Sequence, residues 1–88
     1  MTHMKNLKVM IFPNPIDLRI SGILNVIKRS RVNQGISQYE MSSRLNVSQN
    51  TYFKIEKGKT KLDVYRLIQI SNILQIDLQE LFIEELVQ

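Results

Sequence analysis

Hydrophobic side chains recur at intervals of three or four residues along most of this chain, which is the spacing of one face of an α-helix. The first such stretch follows Pro15 and contains Ile16, Ile20, Leu24 and Ile27. Two starts are open for this helix: Asn14 as N-cap with Pro15 in the first turn, or Ser21 as N-cap of a helix that begins at Gly22. We favour the shorter helix, which begins at Gly22.

Capping residues mark where the next helix boundaries fall. Gly35 predicts that the first helix ends near Gln34, because glycine readily adopts the left-handed conformation that closes a helix. Ser37 and Glu40 have the spacing of a capping box, which predicts the start of a second helix. That helix is expected to stop after about two turns at Asn46, since asparagine tolerates a positive φ.

Three further helix starts follow the same logic. Ser48 begins a third helix that ends at Gly58, Asp63 begins a fourth, and Asp77 begins a fifth. The second and third helices are expected to bury Met41, Leu45, Tyr52 and Ile55. The fourth is expected to bury Val64, Leu67, Ile70 or Ser71, and Leu74, and the apolar positions of the fifth are Leu78, Leu81, Phe82 and Leu86. The pattern therefore predicts an all-α domain of five short helices.

The segment Leu7–Phe12 differs from the rest because it is short, apolar and partly β-branched, and it stops at residues 13–15, Pro-Asn-Pro. These features predict a strand, although the chain has no obvious second strand to pair with it. It could pair with the same segment of a second molecule, lie over the helices as an arm, or pack locally as a hydrophobic tail. We divide the chain into an N-terminal arm or extended segment, residues 1–20, and a helical domain, residues 21–88.

The net charge of +4 is unevenly distributed. Residues 28–61 contain eight basic and two acidic side chains, whereas residues 62–88 contain one basic and five acidic side chains. This division suits a protein that places one face on a polyanion, although chance fluctuation in a small domain is an equal explanation. The acidic side chains are interpreted as helix caps and solvated surface.

Several classes of protein are disfavoured by the composition. The chain has no cysteine and its one histidine, His3, is near the N-terminus, so neither a metal site nor any other cofactor is expected. It has no glycine-rich phosphate loop and no cluster that would form an active site, so an enzyme is not expected. Its longest apolar runs are too short for a signal peptide or a membrane span, and we expect a cytoplasmic protein.

Residues 37–57 combine a two-turn helix, a tight turn and a second helix, the arrangement that places a recognition helix in the major groove of DNA. With Tyr52 and Ile55 pointing inward, the outer side of the second helix holds Gln49, Asn50, Phe53 and Lys54. The amides match the donor and acceptor of adenine, lysine can donate to guanine, and an apolar group can touch the thymine methyl. We expect these four side chains to contact base edges. For Phe53, an exposed aromatic side chain without a partner and a dimer contact are equal alternatives.

Phosphate contacts are expected around this face. Helix N-termini and lysine side chains attract phosphate groups, and such contacts position a protein on DNA without reading its sequence. An ordinary solvated basic loop is the alternative interpretation of residues 57–61. The side chains predicted to contact phosphate are Gln38, Ser48, Lys57, Lys59, Thr60 and Lys61.

Six short motifs follow one another along residues 22–82. They are Ile27-x-x-x-Arg31, Gly35-Ile36-Ser37-Gln38, Leu45-Asn46-Val47-Ser48-Gln49-x-Thr51, Ile55-Glu56-Lys57-Gly58-Lys59, Leu74-Gln75-Ile76-Asp77 and Glu80-Leu81-Phe82. With them the chain resembles the Xre-like helix-turn-helix family of phage repressors and Cro proteins. The family usually has other residues at Ser42 (alanine), Asn46 (glycine), Phe53 (a small polar residue) and Leu62 (proline).

The resemblance implies a five-helix lambda-repressor-like fold with roles for particular side chains. Gln38 would contact phosphate, and Gln49, Asn50 and Lys54 would face bases. Arg31 would pair with Glu56 and brace the first helix against the end of the third.

These features together predict a sequence-specific transcriptional regulator, a repressor that binds a symmetric operator in double-stranded DNA as a homodimer. The alternative is an antitoxin-type protein that binds a toxin partner and regulates its own operon. In that case the apolar N-terminal segment or the acidic C-terminal helices would contact the toxin. Neither function requires contact with a membrane.

Overall fold

The computed structural model describes residues 14–87, and in that range the chain forms five α-helices and no strand. They are α1 (Pro15–Asn33), α2 (Gln38–Leu45), α3 (Gln49–Glu56), α4 (Val64–Leu74) and α5 (Leu78–Val87). This confirms the predicted all-α, five-helix fold of lambda-repressor type. The predicted extended segment Leu7–Phe12, with its proposed pairing, lies outside the described residues.

Helix α1 is longer than predicted, at 19 residues. Its N-cap is Asn14, whose Oδ1 accepts a hydrogen bond from the backbone N–H of Ile16 at 2.7 Å, and Pro15 occupies the first turn. The prediction that favoured a start at Gly22 is therefore wrong, and the alternative start at Pro15 is correct. Asn14 and Ser21 are both suitable N-cap residues, so the sequence alone did not decide between them. In the structure Ser21 lies on the exposed side of a continuous helix, where serine is tolerated.

Left-handed residues close several of the helices. Gly35 and Gly58 have φ of 71° and 73°, and Asn46 has φ of 59°, so all three predicted turn residues adopt positive φ. Helix α3 ends at Glu56, just before the turn that contains Gly58. Gln75, with φ of 57°, closes α4 in the same way, which was not predicted because glutamine lacks the local preference for this conformation.

Side-chain caps begin α2, α3 and α4 as predicted. Each cap oxygen accepts from the backbone N–H three residues further along the chain; the caps are Ser37, Ser48 and Asp63. The second half of the capping box predicted for α2 does not form, because the Glu40 carboxylate accepts a hydrogen bond from Arg44 one turn later. A charged donor on the same helix face outcompetes the backbone N–H.

Helix α1 lies across α3, α4 and α5, and α2 packs against α3 and α4. The predicted inner side of the helix-turn-helix is confirmed, since all four of its members are buried: Met41, Leu45, Tyr52 and Ile55. One prediction is wrong, because Val64 is 70% exposed. Of the apolar positions of the fifth helix, Phe82 and Leu86 are 40% and 63% exposed. Val64 is the first residue of α4, and α5 buries mainly Leu81 and Glu85.

Two of the departures from the family pattern fit the packing without strain. Ser42 is buried, and its hydroxyl donates to the Tyr39 carbonyl at 2.6 Å, so a small polar side chain replaces alanine without an unsatisfied donor. Leu62 is half-buried and packs against the hydrophobic core before α4. The usual residue types are therefore not needed at these positions.

The sequence predicted that the acidic side chains of α5 are caps or solvated surface, but two of them form ion pairs. Glu85 pairs with Arg19 at 2.5 Å and its side chain is only 2% exposed, while Glu84 pairs with Arg29 at 3.4 Å. Both partners belong to α1, so these pairs join the first and last helices. Within residues 14–87, no helix is long and apolar enough to cross a membrane.

Replacing Gln75 by glycine should stabilise the domain. A left-handed conformation costs an L-residue about 1–2 kcal/mol, and glycine avoids this cost while losing more backbone entropy on folding. We expect Gln75→Gly to raise the free energy of unfolding by about 0.5–1 kcal/mol, measured by urea denaturation. Gln75→Ala keeps the Cβ and should give no gain; an equal gain from both variants would contradict this explanation.

Candidate nucleic-acid interface

The outer side of α3 presents three predicted base-contacting side chains together. Gln49, Asn50 and Lys54 are all exposed, and helical spacing places them on one side of α3. Phe53 shares this side by helical spacing but differs from the other three because it is half-buried and lines a groove with residues of α1. The structure therefore brings three polar side chains into one exposed group and places the fourth predicted contact beside another helix.

The orientation of α3 is set by short-range backbone geometry and by burial. Asn46 turns the chain sharply after α2, and its neighbour Val47 donates a backbone hydrogen bond to the Ser42 carbonyl at 2.9 Å. On the far side of α3, Tyr52 and Ile55 are buried in the core. These anchors leave the polar side of α3 exposed.

Two of the predicted phosphate contacts lie at helix starts and already have partners within the protein. Gln38, the first residue of α2, is half-buried, and its amide nitrogen donates to Glu56 at 3.2 Å, which leaves its second N–H for a ligand. The Ser48 hydroxyl accepts from the Thr51 N–H at 3.0 Å and donates to the Thr51 hydroxyl at 2.8 Å. Its only proton is therefore directed at Thr51.

The other predicted phosphate contacts form the turn after α3. Lys57, Lys59, Thr60 and Lys61 are all exposed. The ammonium groups of Lys57 and Lys59 lie 5.6 and 5.8 Å from the centre of the Phe53 ring. This turn is thus a basic edge beside the outer side of α3.

Arginine and lysine have different roles in the described part of the chain. Four arginines form ion pairs with carboxylates, and the fifth, Arg66, donates to Gln69 at 2.9 Å. By contrast, no lysine among residues 14–87 has a carboxylate oxygen within 4.0 Å. These lysines, all exposed and therefore available to an external anion, are Lys28, Lys54, Lys57, Lys59 and Lys61.

A buried ion pair connects α1 to the end of α3. The Arg31 guanidinium donates twice to the Glu56 carboxylate, at 2.8 and 2.9 Å, and a third time to the Ile36 carbonyl at 2.8 Å. The Tyr52 hydroxyl and the Gln38 amide also donate to Glu56, at 2.5 and 3.2 Å. The structure thus brings Arg31 and Glu56 together in the arrangement that the family resemblance implied.

The hydrogen bonds of this cluster determine how its members ionise. Burial by itself raises the pKa of Glu56, but the hydrogen bonds from Arg31, Tyr52 and Gln38 outweigh it, so this pKa lies below its ordinary value. The bond to Glu56 raises the pKa of Arg31. Burial, followed by the bond to Glu56, raises the pKa of Tyr52 far above its ordinary value, so its hydroxyl remains a donor.

Sequence reasoning missed Lys28 as a member of this surface. Lys28, on α1, lines a groove of about 550 Å³ together with Gln38 and Lys57. The charge count included Lys28, but only the packing of α1 against α3 shows that it lies beside the predicted phosphate contacts. The contribution of Tyr52 to the ion-pair cluster was also missed, although its spacing of four residues from Glu56 was a usable signal.

Acid should destabilise the wild-type protein more steeply than a Glu56→Gln variant. Because the folded-state pKa of Glu56 is lowered, its contribution is present above the unfolded-state value of about 4.3 and is lost as the pH falls through the folded-state pKa. At pH 7, Glu56→Gln should lose about 3–5 kcal/mol, because Arg31 stays buried without its counter-charge. Urea denaturation between pH 3 and pH 7 measures both effects.

The matched control is Glu40→Gln, which removes a carboxylate from an exposed pair with Arg44. Exposed pairs contribute little, so this variant should keep nearly wild-type stability and the wild-type dependence on pH. Parallel pH profiles for wild type and Glu56→Gln would show that Glu56 does not have a lowered pKa in the folded protein.

The model of the helix-turn-helix family matches residues 27–81, which is more than half of the chain and includes all of α2, α3 and α4. Comparison with curated proteins and with solved structures gives no match. The matched region contains the buried ion pair and the exposed polar side of α3. The chain therefore belongs to the helix-turn-helix family, as an Xre-like DNA-binding transcription regulator.

Proposed function

We propose that this protein is a repressor that binds a symmetric DNA operator as a homodimer and reads base edges with α3 in the major groove. The observation that carries the proposal is the exposed polar group on α3, Gln49, Asn50 and Lys54, whose helix is anchored from behind by Tyr52 and Ile55. Repression needs only occupancy of the operator. A cytoplasmic location is part of this proposal, since the ligand is DNA.

The unpaired lysines support binding to the DNA backbone beside this group. Lys57, Lys59 and Lys61 follow α3 directly, and Lys28 approaches from α1. Each lysine that neutralises a phosphate releases counterions, so affinity should fall steeply with salt. These contacts, with the second N–H of Gln38, would position α3 without selecting a sequence.

Loss of a base contact should lower sequence preference, whereas loss of a phosphate contact should lower affinity for all DNA, and binding measurements can distinguish the two. Selection from a random duplex library supplies a preferred duplex, and its half-site spacing reports the symmetry. Gln49→Ala or Lys54→Ala should lower the preference for this duplex over a random duplex by about 1–3 kcal/mol per lost base contact. Lys59→Ala should weaken binding to both duplexes equally and lower the salt slope by about 1.

The control for these measurements is Gln79→Ala, which removes an exposed glutamine from α5 and should change neither quantity. If Gln49→Ala and Lys54→Ala weaken both duplexes by the same factor, the assigned recognition side of α3 is wrong.

Exposed apolar side chains on α1 and α5 support the proposed dimer. Ile16 and Ile20 extend the apolar side of α1 toward its N-terminus, where no other helix within residues 14–87 buries it. Their side chains are 67% and 41% exposed and form one apolar stripe. On α5, Phe82 and Leu86 form a second exposed stripe. The Arg19–Glu85 pair joins the first turns of α1 to the last turn of α5, so both stripes lie at one end of the molecule. A second copy would bury them.

Charged substitutions in these stripes should dissociate the dimer. We expect Ile16→Lys and Leu86→Lys to shift the mass measured by sedimentation equilibrium from twice the chain mass to the chain mass of 10.3 kDa. The folded monomer should survive because both side chains are exposed. Val32→Lys, at an exposed apolar position near the other end of α1, should remain a dimer. A wild-type protein that is monomeric at these concentrations would overturn the dimer proposal.

The same stripes are what an antitoxin would use to hold a toxin. This alternative would be favoured by a monomeric wild-type chain that binds a small partner protein and loses it on Leu86→Lys. It is compatible with DNA binding, because α3 and the stripes are made by different residues.

A further inference from the structure

Phe53 is the one predicted base contact that is not fully exposed. Its ring lines the groove between α1 and the end of α3, where Ile20 and Leu24 of α1 form the opposite wall. A side chain that is half-buried beside another helix is poorly placed to touch a thymine methyl in the major groove. The position of Phe53 therefore needs an explanation other than base contact.

Two lysines surround this ring. The Nζ atoms of Lys57 and Lys59 lie 5.6 and 5.8 Å from its centre, within the distance at which the negative face of an aromatic ring attracts a cation. For residues 14–87, the Phe53 ring is the only partner that the structure shows for either ammonium group. The ring thus gathers two positive charges at the end of α3.

The backbone of the turn holds both lysines beside the ring. The backbone N–H of Lys57 donates to the Phe53 carbonyl at 3.0 Å, and the backbone N–H of Lys59 donates to the Lys54 carbonyl at 2.8 Å. Between them Gly58 has φ of +73° and packs close to Leu24, where an added Cβ would lie 3.4 Å from its Cδ1. The turn is thus fixed by hydrogen bonds and by contact with α1, so the positions of both lysines are set by the fold.

The ring orders the two lysines without neutralising them. A carboxylate in the same place would cancel their charge, as carboxylates do for the arginines elsewhere in the domain. An aromatic ring instead limits the rotamers of each side chain and leaves its full charge for an external anion. Two ordered, unneutralised cations beside a recognition helix suit adjacent phosphates of a DNA backbone.

We propose that Phe53 is a positioning residue, which holds Lys57 and Lys59 ready for the DNA backbone and does not contact bases. This inference rests on the proposed DNA binding and deepens it. Ordering the lysines before binding reduces the entropy lost when they contact phosphate. Phe53 should therefore affect affinity for all DNA equally and act only through the two lysines.

The test measures binding of the selected duplex and of a random duplex of equal length by five proteins. They are wild type, Phe53→Leu, Phe53→Tyr and a Lys57→Gln/Lys59→Gln variant with and without Phe53→Leu. Leucine keeps an apolar contact with α1 but removes the aromatic face, whereas tyrosine keeps that face. Phe53→Leu should weaken binding to both duplexes by the same factor, about three- to tenfold, and Phe53→Tyr should bind within about twofold of wild type.

The Lys57→Gln/Lys59→Gln background tests whether Phe53 acts through these two lysines. There Phe53→Leu should have no further effect, because the side chains that it positions are gone. A loss confined to the selected duplex would show that Phe53 contacts bases and would overturn the proposal. A loss that persists without the lysines, or no loss in the wild-type background, would overturn it as well.

A second measurement does not depend on DNA. In the free protein, the ring current of Phe53 should shift the ε-methylene proton resonances of Lys57 and Lys59 upfield in NMR spectra. The shift should disappear in Phe53→Leu and remain in Phe53→Tyr; its absence from wild type would overturn the positioning role. If wild type instead shows the shift but binds neither duplex, the proposed DNA-binding function has failed, and the phosphate role of the lysines fails with it.

Discussion

The buried ion pair between Arg31 and Glu56 is the interaction on which the rest of this structure depends. It joins the last turn of α1 to the last turn of α3, and its partners include the carbonyl of Ile36 and the side chains of Gln38 and Tyr52. A charge pair removed from water is tolerated only when its hydrogen bonds are satisfied, and no buried polar side-chain atom of the described residues lacks a partner. The satisfied cluster orients α3 relative to α1 and α2.

Arginine and lysine side chains have different partners in this domain. The planar guanidinium group suits fixed pairs with carboxylates, and in this domain such pairs join α1 to α3 and α1 to α5. The lysines have no carboxylate partner within residues 14–87. Lys54 lies on the polar side of α3, and Lys57, Lys59 and Lys61 follow that helix. One type of cation therefore holds the helices together while the other leaves positive charge for DNA.

Local signals predicted much of the fold, and their failures have one physical cause. The caps Ser37, Ser48 and Asp63 were predictable because a cap involves only residues three apart. The start of α1 was not, because two locally adequate caps competed. The exposure of Phe82 and the burial of Glu85 were not predictable either, because helical spacing does not reveal which side of α5 meets α1.

The sequence by itself determined the five helices, the turn at Asn46 and the polar group on α3, because spacing along a helix decides which side chains share a side. Resemblance to known repressors added the partnership of Arg31 and Glu56. Only the tertiary structure decided that Phe53 lies against α1 and that Lys28 lines the same groove as Gln38. These are contacts between helices distant in the chain, and they depend on how α1 crosses α3, which no local pattern encodes.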